Sequence, residues 1–249
     1  MKFINNFKSP NFDNRKLKKI YFIIIHYTAL KNYEQAISYL CDPSKKVSSH
    51  FLISQNGDIY ALVNEKKRAW HAGLSYWDGF TDINSLSIGI ELDFSNNKNN
   101  NKFSKKMINS LTKLLNKLKN KYQIKPKNIL GHSDIAPYRK IDPGPQFPWY
   151  KIYNYRIAFN SIQKNNFKIL ILKKWFKKNN INTKKRISLF ILTHIGYDTI
   201  PVLKNKNLYF RLILAYQNHF TQSKRTGKLD NSTLNFMFSH FINNILTKN

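Results

Sequence analysis

Acidic residues, cysteine and long apolar runs are all scarce in this chain of 249 residues. With Cys41 as its one cysteine, no intrachain disulfide can form, and the redox compartment stays open. The apolar run at residues 20–25, "IYFIII", is far too short to span a bilayer. The N-terminal stretch "MKFINNFKSPNFDNRKLKKI" has neither a continuous apolar core nor a small-residue cleavage site. No secretory signal is therefore expected, and the chain reads as soluble and cytoplasmic. Asp and Glu number 13 against 42 Lys and Arg, for a formal charge of +29. Such a surface attracts polyanions without a specific site. Lysine, asparagine and isoleucine are abundant in core-like and loop-like segments alike, so the charge reads as a bias of the whole chain. A focused basic patch interleaved with aromatics is not seen, nor is a helix-turn-helix or RNA-binding signature, so nucleic acid is not expected as the primary partner. Disorder throughout is excluded, because 42% hydrophobic and 14% aromatic residues can build a core.

Hydrophobic patterning gives the expected elements. The run at 20–25 reads as a buried strand ending at His26, and "YEQAISYLC" as a short helix in which Cys41 is a small buried residue. "HFLIS" and "IYALV" flank the Asn56-Gly57 turn signal of a hairpin. "LSIGIEL" alternates, with Ile88, Ile90 and Leu92 on one face and Gly89 and Glu91 on the other. Polar residues 94–102 read as a loop. Ser104 caps a helix whose Met107, Leu111, Leu114, Leu115, Leu118 and Tyr122 form one apolar stripe. "NIL" at 128–130 is a short strand running into "GHSDIAPYRKIDPGP", where three prolines rule out a long helix or central strand and indicate a shaped loop. Residues 158–182 read as a linker, partly helical. From Thr183, three helices follow, the first stopped by Gly196.

Among seven histidines, His194, His219 and His240 lie in the helical region without partners at metal-ligand spacing and read as packed or solvated helix residues. His26 and His132 each end a buried strand, where clefts form in α/β sheets, and Asp142 lies in the loop after the second. Two imidazoles and a carboxylate would fill three positions of a tetrahedral zinc site and leave the fourth open for water. Amide hydrolysis also needs a carboxylate to move the proton and a donor for the developing oxyanion; Glu91 and Lys140 are the candidates. Taken singly, these residues read equally as a hydrogen-bonded core histidine, an exposed carboxylate and a solvated lysine.

Together, "IIIHYTA", "SSHFLI", "RAWHAG", "NSLSIGIEL" and "GHSDIAPYRKIDPGPQFPW" resemble the zinc-dependent N-acetylmuramoyl-L-alanine amidases of the type 2 amidase family, in the family's order and over residues 11–150. That fold is shared with peptidoglycan recognition proteins. The resemblance implies an α/β fold, a mixed β-sheet flanked by helices, followed by a small three-helix module. The implied division is a catalytic domain at 1–157, a linker at 158–182 and a peptidoglycan-binding-like module at 183–249. It implies hydrolysis of the amide between N-acetylmuramic acid, including its 1,6-anhydro form, and L-alanine in peptidoglycan or muropeptides. One zinc ion is implied on His26, His132 and Asp142, with Glu91 as general base and Lys140 stabilising the transition state. Trp70, His71, Tyr27 and Arg139 are the implied substrate-binding residues; for Trp70 and His71, cleft wall and core both stand, and His50 reads as a structural hydrogen-bonding residue. "HIGYD", "AYQNHF" and "GKLDNSTLNF" are similar to the C-terminal module of the anhydro-muramyl amidases, whose members are exported, so the cell envelope is the alternative location. A non-catalytic peptidoglycan-binding protein on the same fold is the alternative function. The presence of all three ligands with Glu91 and Lys140 favours the enzyme.

Overall fold

The computed structural model describes residues 2–95, 102–155, 157–159, 166–221 and 225–246. They fall into two compact units, one comprising Met1–Ser75, Thr81–His132 and Ile141–Phe159, the other Tyr76–Phe80, Ser133–Lys140 and Asn160–Asn249.

The elements of the first stretch, in chain order, are β1 (Phe3–Ile4), β2 (Phe12–Asn14), β3 (Phe22–Tyr27), α1 (Tyr33–Cys41), β4 (Phe51–Ile53), β5 (Ile59–Ala61), β6 (Lys67–Ala69), α2 (Ile83–Leu86), β7 (Ser87–Leu92), α3 (Lys105–Tyr122), β8 (Ile129–Gly131), α4 (His132–Ile135) and α5 (Trp149–Asn154). Six strands form one sheet in the order β1-β5-β4-β7-β3-β8, while β2 and β6 pair separately. The sheet is mixed as expected: β4 and β5 are antiparallel, and β4, β7, β3 and β8 run parallel. Asn56-Gly57 makes the hairpin turn between β4 and β5, with Gly57 at φ 85°, which a side chain would disfavour.

Alternation divides the central strands between two layers. Ile23 and Ile25 of β3 and Ile88, Ile90 and Leu92 of β7 join a core with Met107, Leu111, Leu114, Leu115 and Leu118 of α3 and with Trp149 and Ile152 of α5. Ser104 caps α3 by accepting the Met107 N–H at 3.0 Å, and an unbroken i, i+3, i+4 stripe keeps one face of the helix on the sheet. On the opposite face Leu52 and Tyr60 pack against Ala36, Ile37 and Leu40 of α1. Cys41, at the end of that helix, is half-buried and not fully enclosed. The in-register row Tyr60, Leu52, Glu91 and His26 runs across β5, β4, β7 and β3. His26 and Glu91 therefore share the sheet face covered by α1, the face turned away from α3.

The second unit is helical: α6 (Asn166–Lys178), α7 (Lys184–Ile195), α8 (Ile200–Lys204), α9 (Leu208–Phe220) and α10 (Asn231–Phe241), the last running into a π-turn at Ile242–Leu246. Thr183 caps α7 and Gly196 ends it, as the sequence suggests. Helix α6 falls in the stretch expected to link, placing Ile169, Leu172 and Phe176 inward at helical spacing. The short α8 was not expected; it begins at Ile200-Pro201, where proline suits a first turn.

Candidate metal centre and active site

Four parallel strands deliver their C-terminal ends to one edge of the sheet, and the chemistry-bearing residues gather there. His26 is the fifth residue of β3, Glu91 the fifth of β7, and His132 follows β8 directly. In the β3–β7 register His26 stands opposite Glu91, and side chains of paired residues in neighbouring strands project from the same face.

The structure brings three of the expected residues together. His26 Nδ1 lies 3.0 Å from His132 Nδ1, and each is 3.1 Å from Asp142 Oδ2. All three are buried, and together they form a group able to hold one metal ion. Burial acts to raise the Asp142 carboxyl, but His132 and His26 beside it hold it well below the usual carboxylate range. The His132 Nε2 faces the Ala72 carbonyl at 3.1 Å. A carbonyl only accepts, so Nε2 carries a proton there, which leaves Nδ1 as the ring's ligand atom.

Two further histidines complete a buried cluster. His71 Nδ1 is 3.0 Å from His26 Nε2, with the rings edge to face. His50 Nδ1 accepts the Gly89 N–H at 3.0 Å, and its Nε2 faces the Lys67 carbonyl at 3.1 Å. That arrangement agrees with a structural role for His50. Burial first, then the nearby Arg15, lowers His50 to about 3. Burial, followed by the neighbouring His26, lowers His71 well below the ordinary range.

The other expected residues are placed as follows. Glu91 is half-buried at the strand end. Tyr27, the last residue of β3, is half-buried and its phenol is raised first by burial, then by Asp142 and Glu91. Trp70 is half-buried and its backbone N–H donates to Ser48 Oγ at 2.9 Å. Arg139 and Lys140 lie in the Ser133–Lys140 segment of the second unit, where both backbone N–H groups donate to the Ala136 carbonyl at 3.0 Å; Arg139 is exposed and Lys140 half-exposed.

Sequence reasoning missed Ser87, Asn84 and Asp134. The alternation of β7 was the available signal for Ser87, since it shares the face of Gly89 and Glu91. Asn84 Oδ1 accepts the N–H groups of His71 and Ala72 at 3.0 and 2.8 Å, a link no local pattern announces. In the second unit the buried Asp134 accepts from Tyr197 Oη at 2.5 Å and from His219 Nδ1 at 2.7 Å, so His219 is a partnered core residue.

Residues 16–145 match the family model described as N-acetylmuramoyl-L-alanine amidase. The chain is 36% identical over 229 residues to N-acetylmuramoyl-L-alanine amidase AmiD of Escherichia coli, covering 86% of this chain and 80% of that protein. It is 37% identical over 160 residues to 1,6-anhydro-N-acetylmuramyl-L-alanine amidase AmpD of Haemophilus influenzae, covering 57% of this chain and 86% of that one. Among solved structures, it is similar to E. coli AmiD in complex with the substrate anhydro-N-acetylmuramic acid-L-Ala-D-γ-Glu-L-Lys, with a TM-score of 0.76 at 30% identity over 90% of each chain. It is also similar to AMPDH3 of Pseudomonas aeruginosa in complex with anhydromuramic pentapeptide, with a TM-score of 0.74 at 28% identity over 90% of this chain and 92% of that one.

Proposed function

The chain belongs to the N-acetylmuramoyl-L-alanine amidase family, and from that premise we propose which of its residues bind the metal and carry the reaction. It is a hydrolase of the amide between N-acetylmuramic acid, the 1,6-anhydro form included, and L-alanine, acting in peptidoglycan turnover and recycling. The relatives solved with anhydro-muropeptides support a muropeptide substrate for this chain as well.

His26, His132 and Asp142 hold one zinc ion. Their donor atoms converge to within 3.0–3.1 Å of one another, close enough for one ion to contact all three. Three ligand atoms converging at this separation need a proton or a cation among them, and the two-imidazole, one-carboxylate set suits zinc. Bound zinc would lower the pKa of a water and polarise the scissile carbonyl. Glu91 takes the proton from the attacking water and returns it to the nitrogen of L-alanine as the C–N bond breaks, so that the amine leaves neutral and Glu91 is restored as a carboxylate. Lys140, two residues before Asp142, donates to the developing oxyanion. Tyr27, Trp70 and Arg139 contribute to substrate binding, whereas His71, which the sequence also suggested for that role, is buried with both ring nitrogens engaged by His26 and Ser87. Residues 1–157 form the catalytic part and 183–249 a wall-binding module, with α6 in the intervening 158–182. No helix among the described residues is long and apolar enough to cross a membrane.

The observation that carries this reading is Glu91 in strand register with His26, itself within 3.1 Å of the two other donors. The test is zinc content together with release of stem peptide from anhydro-muramyl tripeptide. We expect about one zinc per chain and, in Glu91→Ala, metal retained with turnover lower by about 10²–10⁴-fold. Undiminished turnover in Glu91→Ala would remove Glu91 from the mechanism; a wild type without zinc would remove the ligand assignment.

A further inference from the structure

An imidazole can ligate a metal through Nδ1 only when the proton sits on Nε2, and in water the two tautomers interconvert freely. What holds the proton on Nε2 of His26 can be read from its partners outward. Ser87 Oγ lies 2.6 Å from the Ile83 carbonyl, which only accepts, so the single hydroxyl proton of Ser87 points there. Ser87 Oγ is also 3.1 Å from His71 Nε2. With its proton already committed, the hydroxyl can only accept from His71, so His71 carries its proton on Nε2. His71 is 5% exposed, and its ring nitrogens meet His26 and Ser87 with no carboxylate to balance a charge; a ring with one proton, held on Nε2, has Nδ1 as an acceptor. That acceptor lies 3.0 Å from His26 Nε2, which must then be the donor. The His26 Nδ1 is left as a lone pair facing His132 and Asp142.

The same turn sets the second histidine. The Ala72 carbonyl takes the proton of His132 Nε2, and the Asn84 side chain holds the N–H groups of both His71 and Ala72. Gly89 provides the space: a Cβ there would come 2.4 Å from His71 Cγ, closer than real side chains approach.

We propose that His71 is a positioning residue for the metal centre: oriented by Ser87 and Ile83 and seated over Gly89, it fixes His26 as the Nε2–H tautomer and commits its Nδ1 to the ion. This rests on the ligand assignment above. It gives the His71–Ala72 turn the orienting role that carboxylates and carbonyls play around other metal-bound histidines. Its consequence for the reaction is a site organised before the metal arrives, so that little is spent on rearranging donors.

The test uses the full chain, zinc alone as probe, and two readouts besides activity. In the zinc-free wild type, long-range ¹H–¹⁵N spectra of the histidine rings are expected to show His26 and His71 both protonated on Nε2. In chelator competition, His71→Leu should bind zinc about 10–100-fold more weakly. His71→Asn, whose side-chain oxygen can accept from His26 Nε2, should recover most of that loss. Gly89→Ala, which displaces the ring without deleting it, should weaken zinc in the same direction. His26 protonated on Nδ1 in the wild type overturns the proposal, as does a folded His71→Leu with unchanged zinc affinity or a His71→Asn no better than His71→Leu. Should His71→Leu fail to fold, the wild-type spectra and Gly89→Ala still decide. A wild type that binds no zinc defeats the ligand assignment instead, and the tautomer spectra distinguish the two failures because they need no metal.

Discussion

Asp142 in the sheet unit and Asp134 in the helical unit are both buried carboxylates beside imidazoles, at 3.1 and 2.7 Å respectively, yet their surroundings differ in one respect: the supply of protons. Asp134 meets a phenol hydroxyl on one oxygen and an imidazole nitrogen on the other, so each contact has a donor and the group is satisfied by the protein itself. Asp142 meets two imidazole nitrogens whose rings each have their other nitrogen engaged on the far side, by Ala72 and by His71. The first arrangement is complete as a structural tie, whereas the second leaves three ligand atoms turned toward one point, able to hold a metal ion. A carboxylate–histidine pair is thus no sign of a site on its own; what the other ring nitrogen does decides.

The comparison can be broken most readily at Asp134. His219→Leu leaves its carboxylate buried with a partner removed, and we expect a loss of about 3–5 kcal/mol in denaturant unfolding. A loss below about 1 kcal/mol would show that His219 does not hold Asp134.

Acid should act on the sheet unit through His50. Its folded-state pKa of about 3 lies below the ordinary value near 6.5, so the unfolded chain takes up the proton first. Stability is therefore full above about pH 6.5 and falls as pH drops from there toward 3, by on the order of a few kcal/mol. Unfolding free energies measured across this window check the sign; His50→Gln should flatten the slope, and an unchanged slope would assign the acid sensitivity to other groups.

At Asp142 the expected effect is on metal. Asp142→Ala should weaken zinc by more than about 100-fold, beyond what losing an outer partner causes, while costing the zinc-free protein less stability than His219→Leu, because the desolvation of the buried carboxylate is removed together with its imidazole contacts. Chelator competition beside thermal unfolding separates the two effects, and a strongly destabilised zinc-free variant would make Asp142 a structural tie like Asp134.

The smallest expected effect sharpens the same contrast: Tyr197→Phe removes one donor from Asp134 and should cost about 1.5 kcal/mol in unfolding. No cost would mean that Asp134 does not depend on the Tyr197 hydroxyl.

Much of this was legible along the chain because it depends on local periodicity. The period-two alternation of residues 86–92 put Glu91 opposite the core face, and the stripe from Met107 to Leu118 marked the helix covering the sheet. Strand-end positions picked out His26 and His132, and the turn signal at Asn56-Gly57 located the hairpin. These follow from the amino-acid sequence by itself, since which face a side chain takes is set by its own strand or helix. Only the tertiary structure decided that His26 stands in register with Glu91, 65 residues away in sequence, and that Asp142 returns to it across 116. It alone joined His71 to His26 and Ser87, and His219 to Asp134 across 85 residues. Such pairs carry no periodic signal. They arise because a buried polar group must find a partner of the right donor or acceptor kind, and which one it finds depends on strand order and register, settled by the whole core at once.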